Sequence, residues 1–358
     1  MRETYPGTKT NPGNYFEDFH LGQEIRHATP RTVTEADAIL YLGLTGGRFA
    51  LASASTFAAR MGYDEAPIDD FLTFHIVFGK TVPDVSLNAV ANLGYAEGRF
   101  GVPVFPGDTL SATSRVIGLK ENSNRQTGVV YVRSTGVNQR GETVVDYVRW
   151  VMVRKRDADA PAGGTQVPDT APSVGVADLH LPPPLPAGAY DWDLAGSPFA
   201  WEDYQPGEKI DHVDGITIEE SDHMTATRLY QNTARVHFNQ HSEGQGRFGR
   251  RLIYGGHIIS LARALSFNGL ANAQRVVAIN GGRHVAPCFG GDTIYAWTRV
   301  EESLALPGRT DYGALRLRTF GIKNHPATGF PERAENGKDY DPAVVLDLDY
   351  TVLVPRRK

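Results

Sequence analysis

The 358-residue chain reads as an α+β protein in which one unit, an antiparallel sheet wrapped around a single long helix, occurs twice. Three observations lead there. A set of residues recurs about 185 positions further on, each copy places helix signals ahead of a run of strands, and a proline-rich stretch separates the copies.

The recurrence starts with Glu17-Asp18-Phe19, Gly22, Ile25 and His27, which return as Glu202-Asp203-Tyr204, Gly207, Ile210 and His212. Thr32, Glu35 and Asp37 return at the same spacing. Arg99, Pro103, Phe105, Gly107, Asp108 and Thr109 come back as Arg283, Pro287, Phe289, Gly291, Asp292 and Thr293, and Arg115-Val116 as Arg299-Val300. A spacing held to within a residue over such a distance marks duplication, because unrelated segments would have to drift together.

Each element then follows in order. Thr32 to Glu35 and Thr217 to Glu220 fit the capping-box pattern, which predicts a short helix after each. A more apolar helix is predicted over Gly256 to Ser266, where Ile258, Ile259, Leu261, Ala262 and Leu265 leave too few polar residues for a surface helix. Strand-type runs cover Thr127 to Thr135, Val144 to Val153, Thr293 to Val300 and Ala343 to Val354. Helix then strands, without alternation, predicts antiparallel pairing. Between the copies, Arg154 to Ala200 holds 8 of the 22 prolines and reads as an extended linker. The chain therefore divides into residues 1–153, a linker over 154–200, and residues 201–358.

Composition narrows the function. The net charge of −5 and a 41% hydrophobic content exclude a disordered chain and a basic nucleic-acid-coating protein. The most apolar window, Ile253 to Gly269, is broken by His257 and Arg263, so no membrane span is expected. Cys288 is the single cysteine and the first residues, MRETYPGTKTNPG, hold no apolar signal stretch. Both point to a cytoplasmic protein.

Where the copies diverge, chemistry is to be expected. Thr45 to Ala52 aligns with Tyr230 to His237, so Asn232 and His237 stand where the first copy has Gly47 and Ala52. A lone histidine is usually structural; its divergence and the Asn five residues earlier single this one out. From Gln245 to Gly291 there is no acid but six arginines, Arg247, Arg250, Arg251, Arg263, Arg275 and Arg283, which suits a polyanion such as coenzyme A. A basic surface paired with acids of the other half is the alternative. Three patterns carry little. Gly244 to Gly249 matches a dinucleotide fingerprint but lacks the preceding strand and the later acid. His237 and His241 have metal spacing without a third ligand. Cys288 sits in a repeated turn, where a small buried side chain suffices.

The second-half Asn/His pair and Phe248 to His257 resemble the MaoC-type double hot-dog hydratases. Longer stretches, Phe74 to Gly94, Tyr147 to Arg156 and Tyr230 to His241, resemble their mesaconyl-CoA hydratase (β-methylmalyl-CoA dehydratase) branch. The resemblance implies a double hot-dog fold and reversible hydration of mesaconyl-C1-CoA to β-methylmalyl-CoA, in the ethylmalonyl-CoA pathway or a related route. It implies no metal or redox cofactor, coenzyme A only as part of the acyl-CoA substrate, no nucleic-acid or membrane partner, and a homodimer. The first half becomes a non-catalytic pocket wall and the second the catalytic repeat.

On this reading His237 is the general base or proton shuttle, and Gly255 or Gly256 donates a backbone amide to the thioester oxygen. The family has an aspartate where this chain has Asn232. An amide accepts no proton at neutral pH, so Asn232 positions the water or Glu243 substitutes. Arg235, Arg250 and Arg251 are the candidates to bind the substrate's free carboxylate, with coenzyme A phosphates or the surface as alternatives. A hot-dog thioesterase and a non-catalytic acyl-CoA binding module remain the rival functions.

Overall fold

The computed structural model of the chain describes residues 9–161, 163–331, 333–334 and 336–357. The first eight residues, part of the opening stretch expected to hold no signal, lie outside them. The first half supplies strands β1 (Glu24–Thr32), β2 (Ala89–Phe100), β3 (Thr109–Glu121), β4 (Thr127–Val137) and β5 (Thr143–Arg154). The second supplies β6 (Lys209–Thr217), β7 (Arg275–His284), β8 (Thr293–Ala305), β9 (Tyr312–Lys323) and β10 (Val344–Pro355). Alternating buried and exposed side chains along β3 and β4 give these strands one face to the core. All pair antiparallel in one sheet, ordered β1-β3-β4-β5-β2-β7-β10-β9-β8-β6. The halves meet edge to edge through β2 and β7, where Tyr95 faces Gly282 and Gly98 faces Ile279.

Helices α1 (Glu35–Thr45), α2 (Ala50–Ser53), α3 (Ser55–Arg60) and α4 (Asp70–Thr81) belong to the first half, and α5 (Trp192–Ala195) to the connecting segment. The second half has α6 (Glu220–Leu229), α7 (Arg235–Phe238), α8 (Gln240–Glu243), α9 (Gly255–Leu265) and α10 (Phe267–Leu270). The sheet curls around α4 and α9, buried from Phe71 to Thr81 and from Gly256 to Leu265. Each fully buried large apolar side chain here stabilises the fold by roughly 1.5–3 kcal/mol. Tyr41 donates to Ser260 Oγ at 2.9 Å and His75 Nε2 lies 2.9 Å from the same oxygen, tying the helices together.

The repeated residues have shared physical reasons. Asp108 accepts from the amide of Phe105 at 3.0 Å and Asp292 from that of Phe289 at 2.9 Å, each closing a turn through a glycine with positive φ, Gly107 and Gly291. His27 and His212 are buried against the equivalent strand hydroxyls, Ser114 and Thr298.

One expectation needs correction. The predicted helices follow, but the capping boxes do not stand at Thr32 and Thr217. These threonines end β1 and β6 and face Thr109 and Thr293 at 2.8 Å. The box at α1 is formed two residues later, by Thr34 and Asp37. At α6 the cap is Glu219, without a side-chain bond, and Glu220 pairs instead with Arg251. The connecting segment is extended but strapped down. Asn280 accepts from the amide of Val174, Asp311 from that of Leu185, and Tyr190 donates to Asn272.

Candidate active site

Helix α9 opens with Gly255-Gly256, and the backbone there has donors to spare. The amide of Tyr254 is taken by His223 Nε2 at 2.9 Å and that of His257 by the Tyr254 carbonyl at 2.9 Å. Among the described residues nothing accepts from the amides of Gly255 and Gly256. Two free N–H groups at the positive end of an eleven-residue helix can hold an oxyanion. Both positions need glycine because neighbours crowd them. A Cβ on Gly255 would stand 2.3 Å from the His284 ring, and one on Gly256 would stand 2.4 Å from the Tyr254 ring.

His237 faces the same turn. Its segment, α7, leaves α6 and returns beside the Leu252 strand-like stretch, where His237 Nδ1 lies 2.9 Å from the Leu252 carbonyl. A carbonyl only accepts, so Nδ1 carries the proton and Nε2 keeps its lone pair. The imidazole is half-buried, and burial lowers its pKa to about 4, so it is neutral near pH 7. Its ring centre is 5.5 Å from that of Tyr254. The site thus pairs a neutral nitrogen base with free oxyanion donors.

The remaining predicted residues fall in different places. Asn232 is buried, at 1% exposure, and its Oδ1 accepts from the amide of Ala234 at 3.2 Å, shaping the loop that delivers His237. No hydrogen bond joins Asn232 or Glu243 to His237 among the described residues; Glu243 lies on α8, near Ser242. Arg235 is exposed and reaches Asn88 Oδ1 of the first half at 3.3 Å. Arg250 is exposed and stacks 4.0 Å above Phe289. Arg251 is neutralised by Glu220 at 2.6 Å. Arg275 is likewise paired with Asp70 of the first half at 2.9 Å, so part of the arginine set answers acids elsewhere in the fold. Cys288 is buried and its thiol is pushed up to about 12, unsuited to attack. Among the described residues, no three His, Cys, Asp or Glu side chains are arranged to hold a metal ion, and no helix is long and apolar enough to cross a membrane.

Four further histidines, not singled out from the sequence, stand around this turn. His223 on α6, His257 on α9, His284 on β7 and His75 on α4 surround Tyr254 and the two glycines. Burial holds the pKa of His257 and His284 at about 4 and of His223 at about 2. Tyr95 and His284 Nε2 hydrogen-bond at 3.0 Å. His223 accepts at Nε2, so its proton is on Nδ1, which is buried with no partner among the described residues. A signal for three of them was present. At the repeat spacing His223, His257 and His284 stand against Ala38, Leu72 and Phe100, the same divergence that singled out His237.

The chain is similar to known proteins over nearly its whole length. A family model described as mesaconyl-CoA hydratase matches residues 6–330. The chain is 65% identical over 349 residues to β-methylmalyl-CoA dehydratase of Chloroflexus aurantiacus, covering 98% of this chain and 99% of that one. It is 59% identical to mesaconyl-CoA hydratase of Cereibacter sphaeroides over 97% of this chain and 100% of the other. A solved structure from Chloroflexus aurantiacus, described as a MaoC domain protein dehydratase, superposes with a TM-score of 0.96 at 65% identity, covering 98% and 100% of the two chains. A Mycobacterium tuberculosis protein described as having a double hot-dog fold superposes with a TM-score of 0.73 at 25% identity, covering 96% and 98%.

Proposed function

This chain belongs to the mesaconyl-CoA hydratase family, and from that premise we propose a residue-level mechanism for its hydro-lyase activity. The fold is the double hot-dog, and the reaction is the reversible addition of water to mesaconyl-CoA to give β-methylmalyl-CoA. His237 Nε2 takes a proton from water as the oxygen bonds to the β-carbon. The π electrons move through the α-carbon onto the thioester oxygen, which the amides of Gly255 and Gly256 hold as an enolate. The imidazolium then returns its proton to the α-carbon, so water is added with no net change of charge. Dehydration is the reverse.

The observation that carries this reading is the fixed tautomer of His237, with Nε2 free beside two unpaired helix amides. Asn232 acts by holding the loop and orienting water through its carbonyl oxygen. The addition is redox-neutral and a thioester enolate can be held by amides alone, so we assign no metal or redox cofactor. Its stacking on Phe289 at the surface supports Arg250 as the partner of a coenzyme A phosphate. The family resemblance and the single cysteine support a cytoplasmic homodimer acting in the ethylmalonyl-CoA pathway; sedimentation at the mass of one chain would contradict the dimer.

The test is the loss of the enoyl-thioester absorbance when the protein is added to mesaconyl-CoA. His237→Ala should slow that decay by about 10²- to 10⁴-fold, the usual contribution of an oriented acid–base group. Release of free thiol in place of hydration would make the protein a thioesterase, and neither signal would leave an acyl-CoA binding module.

A further inference from the structure

Three arginines are buried among the described residues, and two of them have acids. Arg275 pairs with Asp70, and Arg263, 3.5 Å above the Phe49 ring, lies within the field of Asp69 and Asp70. The third, Arg149 on β5, is 0% exposed and has no carboxylate partner among the described residues. Its guanidinium donates to Thr81 Oγ1 at 2.7 Å, reaches Ser86 Oγ at 3.4 and 3.5 Å, and lies 4.2 Å above the Phe78 ring. Its Nε–H has no acceptor. A buried cation without a counter-charge is costly to hold, and chains keep one where a ligand supplies the anion.

The duplication indicates where that anion belongs. At the repeat spacing, Asp69 and Asp70 at the start of α4 correspond to Tyr254 and Gly255 at the start of α9. Arg275 sits on Asp70 at the α4 start, and Arg149 lies within the electrostatic reach of Tyr254 at the α9 start. Asp69 and Asp70 are themselves carboxylates, whereas Tyr254 and Gly255, at the turn that His237 faces, carry none. Arg149 is connected to that end by two routes. The Phe78 ring beneath it is 5.6 Å from the Tyr254 ring, which is 5.5 Å from His237. Its cross-strand neighbour Tyr95 hydrogen-bonds His284, which packs on Gly255.

We propose that Arg149 is the specificity residue that binds the substrate's free carboxylate, in place of Arg251, which is paired with Glu220, and of Arg235 and Arg250, which are exposed. The inference rests on the hydratase reading above. It makes the first half contribute a charge to the site in addition to a wall.

Two non-reacting ligands isolate the carboxylate: succinyl-CoA, which carries it, and butyryl-CoA, which has a methyl group there. In Arg149→Met the preference for succinyl-CoA over butyryl-CoA as competitive inhibitor should fall at least about 100-fold, because a site built for a charged group discriminates strongly against its absence. Turnover of mesaconyl-CoA should fall with it, while butyryl-CoA inhibition stays within about threefold of wild type. Equal weakening of both inhibitors, or an unchanged preference, overturns the proposal. If Arg149→Met does not fold, Arg149→Lys takes its place. It keeps a point charge and loses the planar fork, so the preference should drop about tenfold with butyryl-CoA unaffected, and an equal change on both ligands again overturns it. A wild-type protein that fails to hydrate mesaconyl-CoA refutes the hydratase reading itself, whereas an active wild type with an indifferent variant refutes only the role of Arg149.

Discussion

The Leu252 carbonyl fixes what His237 can do. By holding the Nδ1 proton it leaves Nε2 as the acceptor, and burial keeps the ring neutral down to a pKa of about 4. A base works only unprotonated, so its activity is present above its pKa and lost as pH falls through it. The acid limb of kcat/KM for hydration should therefore lie near pH 4 to 5, well below the ordinary histidine value of about 6.5. A limb at the ordinary value would show that a solvated group does the chemistry. This residue could be found from sequence because its counterpart, Ala52, has no chemistry. The part played by Asn232 could not, since its bond to the Ala234 amide depends on how the loop after α6 turns.

At the scale of the element, α9 is where sequence and structure agree best and where the site is most exacting. Its apolar residues predicted a buried helix over Gly256 to Ser266, and the helix runs over Gly255–Leu265. Alanine is the better helix former by about 0.5–1 kcal/mol, yet a Cβ at Gly255 would meet the His284 ring at 2.3 Å. Gly255→Ala should therefore cost kcat at least about 100-fold by tilting the oxyanion donor, as loss of such a donor does elsewhere. Circular dichroism should show the helix content unchanged; a variant with near-normal kcat would exclude the Gly255 amide from the reaction. Elements set by local pattern, such as β4 and β5, were legible in the same way. The caps were not, because Thr32 and Thr34 both fit a capping signal and only the β1–β3 pairing shows that Thr32 is spent on Thr109. Nor was Arg149, since nothing in the sequence tells that its strand faces Phe78.

For the whole molecule, duplication followed by divergence has filled one half with neutral buried histidines. His27 in the first half has Asp84 beside it, at 2.8 Å, whereas its mate His212 hydrogen-bonds the Asn268 carbonyl and Thr298. His212 and His257 are held at about 4 and His223 at about 2, all by burial. Above about pH 6.5 these rings are neutral whether the chain is folded or not and leave stability unaffected. Below it the unfolded chain takes up protons that the folded chain refuses, so stability is lost as pH falls from about 6.5 toward 4. Each histidine contributes a slope of up to about 1.4 kcal/mol per pH unit across that window. The melting temperature should accordingly drop on going from pH 7.5 to pH 5, in a range where carboxylates of ordinary pKa stay ionised. His257→Leu, which restores the first-half residue Leu72, should flatten this dependence by about one proton's worth. A wild-type melting temperature that is level across the window would mean that these histidines do protonate in the folded state, and with them the buried character of the second half would fail.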